Sequence, residues 1–110
     1  MTTPEQRITE ARKEKTAEAW NDAWWCQERG SAEQAECAKE VIRCAKKENT
    51  TEAWHDAWYC QKKGSAEEAE CVKEVIRCAR KENTAEAWRI AWWCQKYGSA
   101  ERAECVKMSE

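Results

Sequence analysis

The chain has 110 residues, enough for one small domain, and nineteen Lys and Arg stand against twenty-one Asp and Glu. That balance, spread at helical spacing rather than in blocks, argues against a nucleic-acid binder, which needs a basic face, and against a reader of anionic membranes. No apolar run approaches the roughly 20 residues of a membrane span, and no signal-peptide-like apolar core stands at the N-terminus. A soluble protein is expected, with its compartment left open.

In chain order, the first expected element is a short helix over about residues 3–15, with Thr3 as cap and Pro4 in the first turn. A helix over 16–29 follows, stopped by Gly30, and then one over 31–47 capped by Ser31, with Gln34 three residues on. The same pair returns at 50–63 and 65–81, where Ser65 and Glu68 repeat the cap. A third pair is expected at 84–97 and from Ser99 onward. Asn49 with Glu52, and Asn83 with Glu86, are candidates to cap the next first helix. No stretch has strand alternation.

The pairs are copies of one unit. Thr16-Ala-Glu-Ala-Trp20 returns as Thr50-Thr-Glu-Ala-Trp54 and Thr84-Ala-Glu-Ala-Trp88, and Lys39 to Ala45 is unchanged at Lys73 to Ala79. The offset is 34 residues throughout. A fixed period of this length marks units that bury their apolar faces on their neighbours. One repeat domain over 1–110 is therefore expected: a half-helix cap at 1–15, repeats at 16–49 and 50–83, and a shortened repeat at 84–110. The close identity of neighbouring units, surface charges included, points to a designed or recently amplified array.

The Ala-Glu-Ala-Trp opening, the Gly turn and the period resemble tetratricopeptide repeats, especially idealised consensus forms. Of that family's pattern, Trp20, Trp54 and Trp88 match, as do Ala35, Ala69 and Ala103. The Leu position holds Ala23, the close-packing Gly position holds Trp24, Lys39 replaces the second-helix aromatic, and no Pro closes the unit. The resemblance implies an all-α, right-handed solenoid of antiparallel helix hairpins. It also implies, more weakly, peptide binding in a groove lined by the first helices.

Nothing in the chain reads as a catalytic site, so no enzyme and no cofactor are expected. His55, the one histidine, has Asn21 and Arg89 as counterparts and no nucleophile beside it, and there is neither a phosphate-binding Gly loop nor a Ser–His–Asp set. The eight cysteines lack paired C-x2-C spacing, which argues against metal. Cys26–Cys37, Cys60–Cys71 and Cys94–Cys105 flank the hairpin turns and are expected to form disulfides, with Cys44 and Cys78 left over; packing as small buried apolar groups is the alternative.

Trp20 and Trp24 share a face and read as core, whereas Trp25, Tyr59 and Trp93 lie nearer the surface. Where the units differ, Asp22 and Asp56 become Ile90, Arg29 and Lys63 become Tyr97, and Glu40 and Glu74 become Met108. Ile90, Trp93 and Tyr97 then form one helical stripe. With Trp92 and Met108 they make the expected interface of a homo-oligomer. The competing surface is a peptide groove lined by Asn21, Trp25, Glu28, His55, Tyr59, Lys62, Arg89, Trp93 and Lys96.

Overall fold

The computed structural model describes residues 2–110, and all regular structure among them is helical. Seven helices follow one another: α1 (Pro4–Glu14), α2 (Ala17–Cys26), α3 (Ala32–Glu48), α4 (Thr51–Cys60), α5 (Ala66–Glu82), α6 (Ala85–Cys94) and α7 (Ala100–Met108). Each packs on the next in the chain, and α2 also packs on α4, and α4 on α6. One core runs through the stack. It is built from small residues such as Ala23, Val41, Cys44, Ala57, Val75 and Cys78 around the buried rings of Trp20, Trp54 and Trp88.

The helix starts follow from hydroxyl caps. Thr3 and Gln6 make a reciprocal box at α1. The Oγ1 atoms of Thr16, Thr50 and Thr84 accept the N–H of Ala19, Ala53 and Ala87 at 3.1 Å, which satisfies one orphan donor at each first-helix start. Thr, and not the Asn before it, is the N-cap. Asn49 and Asn83 instead end α3 and α5 in the left-handed conformation, at φ 54° and 52°. Asn tolerates that region better than most residues, and it donates its N–H to Ala45 and Ala79. The sequence reading assigned these two residues to the wrong helix end.

A second cap comes from across the hairpin. The Glu48 carboxylate at the end of α3 accepts the Ala17 N–H at 2.6 Å, and Glu82 accepts both the N–H and the hydroxyl of Thr51, at 2.7 and 2.9 Å. An anion at a helix N-terminus is favoured by the exposed amides and the helix dipole.

The first helices end three residues earlier than the Gly30 stop implies, at Cys26, Cys60 and Cys94. The cause is Gln27, Gln61 and Gln95, which leave the helix in extended conformation with ψ near 150°. The Gln61 side-chain amide donates to the Ala57 carbonyl at 2.9 Å, the acceptor its own backbone N–H would have used, and also to Ala38 of α3 at 3.1 Å. Gln27 does the same to Ala23 and Pro4, and Gln95 reaches Val72. Each glutamine therefore stops its helix and clamps it to the preceding one. Gly30, Gly64 and Gly98 still turn the chain, all at φ of 80–84°.

The cap of the second helix is also shifted by one residue. Ser31 accepts the Gln34 N–H, but the Gln34 side chain accepts from Gly30, because the Ser31 N–H already donates to Glu28. Ser65, Glu68 and Gly64 repeat this arrangement.

Candidate functional site

The early helix ends rearrange both candidate surfaces. Tyr97 lies in the turn after α6, not on it, so Ile90, Trp93 and Tyr97 do not form a continuous helical stripe. All three belong to the last repeat, where Tyr97 is 88% and Trp93 66% exposed, while Ile90 and Trp92 are partly covered. Val106 and Met108 of α7 are also exposed. The cover over Trp92 is the Arg102 guanidinium, 3.9 Å from the ring centroid and 5.4 Å from that of Tyr97. Such a cation over an aromatic face contributes about 0.5–1 kcal/mol at an exposed site.

Arg102 was missed in the sequence reading, though its signal was present. It occupies the position of Gln34 and Glu68, whose side chains accept the Gly N–H in the earlier hairpins. A guanidinium has no acceptor, so in the last hairpin it turns to the aromatic rings instead.

The residues expected to line a peptide groove divide into three groups. Trp25 and Tyr59 are about half exposed and touch each other, with ring centroids 5.2 Å apart; Trp24 meets both edge-on, and Trp58 meets Tyr59. Trp93 continues the exposed aromatic set on α6, against Trp92 at 5.0 Å. Asn21 and His55 are partly buried. The Asn21 amide donates to the Asp56 carbonyl and to Cys60 Sγ, both at 3.2 Å, and so joins α2 to α4. His55 stacks on Trp58 at 5.7 Å, and burial holds its pKa below the usual histidine value. Arg89 is exposed on α6, whereas Glu28, Lys62 and Lys96 stand in the turns beyond the helices.

A feature the sequence reading did not single out is the run of carboxylates where the first helices begin. Glu18, Glu48, Glu52 and Asp56 line a small recess with Thr50 and Ala53. Burial, and then the charges of Glu52, Glu18, Asp22 and Glu48, push the Asp56 carboxyl up to about 7. No group of three or more His, Cys, Asp or Glu is placed to hold a metal ion among the described residues.

The expected disulfides do not form; all eight cysteines are unpaired thiols, seven of them buried. Seven of the eight sulfurs are held in the core, where a small apolar group fills space without a partner. The thiols pack instead as small core groups between neighbouring helices. Burial pushes Cys37 up to about 11, Cys60 and Cys71 to about 12, and Cys105 to about 11. Cys44, Cys78 and Cys94 are raised for the same reason.

Comparison with protein-family models, with curated proteins and with solved structures finds no match to this chain. No helix among the described residues is long and apolar enough to cross a membrane.

Proposed function

We propose that the chain is a non-catalytic helical-repeat scaffold, of designed or recently amplified origin, that associates with its own copies through its last repeat. In this reading the hairpins stack as a right-handed, tetratricopeptide-like solenoid with the 34-residue period of the sequence. The serial packing of each helix on the next, with the first helices touching one another, supports that architecture. The observation that carries self-association is the concentration of exposed large apolar side chains in the last repeat: Trp93, Tyr97, Val106 and Met108. Clusters of this kind commonly mark interaction sites, and a two-fold pairing is the commonest arrangement of a homo-oligomer. Sedimentation of the native protein against a Trp93→Asp variant tests it. The substitution sets a charge among the exposed apolar side chains, where a two-fold pair brings it near its own copy, and a dimer should become a monomer with its helicity unchanged. A native protein that is already monomeric at high micromolar concentration overturns the proposal.

A second reading, a peptide-binding adaptor, is favoured by the contacting, half-exposed rings of Trp25 and Tyr59 on adjacent first helices. Aromatic side chains that stand clear of the core are frequent anchors of bound segments.

A further inference from the structure

We propose that the second copy docks on the face of the first helices, related by a two-fold axis parallel to the row Trp25–Tyr59–Trp93, so that each copy's acidic edge covers its partner's basic edge. This rests on the self-association reading above and specifies the geometry of the pair. The first helices point the same way: Asn21 of α2 reaches Asp56 and Cys60 of α4, and Trp24 and Trp25 meet Tyr59, each contact pairing a residue with one 34 to 39 positions further on. Like residues therefore form rows across the face.

The exposed aromatic row lies between two edges of opposite charge. In the first turns of α2, α4 and α6 stand Glu18, Glu52 and Glu86, with Asp22 and Asp56 a turn further on in α2 and α4. In the turns where these helices end stand Arg29, Lys62, Lys63 and Lys96, all exposed. Glu28 on the basic edge and Arg89 on α6 run the other way, and the second helices carry the opposite pattern, with Lys46, Lys47, Arg80 and Lys81 in their last turns and Glu33, Glu67, Glu68 and Glu101 in their first. A helix of 10 residues separates the two edges of the first helices by about 15 Å, beyond a Debye length at physiological salt.

Symmetry then decides the orientation. Turning a copy face-down about an axis along the aromatic row reverses the helix direction and lays acid on base, with each ring near its own counterpart. Turning it about an axis along the helices lays acid on acid and base on base. Only the first is attractive at both edges, and like charges brought together across an interface cost several kcal/mol. The molecule measures 42 × 26 × 23 Å, so a broad face is on the order of 1,000 Å², comparable with the ~800 Å² per partner of a stable complex. Trp93 is common to this face and to the apolar cluster of the last repeat, so the two surfaces are continuous.

The test reverses each edge separately and then both together. One variant carries Glu18→Lys and Glu52→Lys, a second carries Arg29→Glu and Lys63→Glu, and a third carries all four. Sedimentation equilibrium at low salt measures dimerisation, and circular dichroism checks that each variant is folded. The expected result is at least a tenfold rise, on the order of that seen for interfacial charge pairs, in the dimer dissociation constant of each single-edge variant, with recovery in the combined variant. A combined variant no tighter than the single-edge ones overturns the proposed orientation. If all three dimerise like the native protein, the face is not the interface although self-association stands. A native protein that stays monomeric removes both proposals.

Discussion

Replacing Gln61 tests the clamp that ends the first helices. Its amide makes two hydrogen bonds, to Ala57 at 2.9 Å and to Ala38 at 3.1 Å, and its own backbone N–H is diverted to Trp58. In Gln61→Ala both bonds are lost. The Ala38 carbonyl keeps its place in the α3 ladder, but the Ala57 carbonyl loses the donor that replaced its helical partner. At about 0.5–1.5 kcal/mol net for each bond, the expected loss is about 2 kcal/mol. Gln61→Glu keeps the shape and is expected to be worse, by about 1 kcal/mol, because a carboxylate donates nothing and sets its charge against two carbonyl oxygens. Urea unfolding followed by circular dichroism gives the ranking directly. Because repeat arrays can unfold in stages, hydrogen exchange at the start of α3 and the end of α4 should show the loss localised there. A glutamate variant as stable as the alanine variant, or more so, would refute the donor role assigned to the amide.

Asp56→Asn should stabilise the protein at neutral and higher pH. The folded carboxyl is raised to about 7 from its ordinary 3.8, so protonation favours the folded state, and native stability should fall as pH rises from about 4 through 7. Discounted for the solvent that reaches this half-buried group, the gain in the variant is about 1–2 kcal/mol above pH 7, and a pH series of melts in which both proteins have the same slope would contradict it. Thiol counting should find eight reactive groups in the denatured, unreduced protein and slow reaction in the native one; a count near two would restore the disulfides. Gly64→Ala should cost about 1 kcal/mol, arising from backbone strain alone, since an added Cβ meets no atom within 4 Å and only the φ of +84° opposes it. Gly64→Asn, measured in the same denaturation series, should cost less.

The helices and their order were legible because the signals are local: hydroxyl caps, a glycine turn and an apolar face recur in every unit. The early ends of α2, α4 and α6 were not, because their cause is a side chain bonding to the backbone of a preceding helix, and no window along the chain contains both partners. The N-cap misassignment of Asn49 has a related origin. In Asn49-Thr50 both residues are good caps, and only the left-handed φ of Asn49 shows that it closes α3 while Thr50 opens α4. The aromatic residues of the two candidate surfaces were found from exposure patterns and from differences between repeats. The charged edges were not, since Glu18, Asp22, Glu52 and Asp56 look like ordinary solvated positions until α2 and α4 are placed side by side.

The clamp also bears on how such a chain could be rebuilt. Gln27, Gln61 and Gln95 grip Pro4, Ala38 and Val72, three different residues, and in every case the bond goes to a carbonyl that any amino acid supplies. A joint made to the main chain is indifferent to what the neighbouring unit displays there. This joint by itself asks for no matching substitution on the other side of the seam when a hairpin is duplicated or exchanged, unlike the side-chain contacts of Asn21 with Cys60 and of Arg80 with Glu104, which must be carried along in pairs.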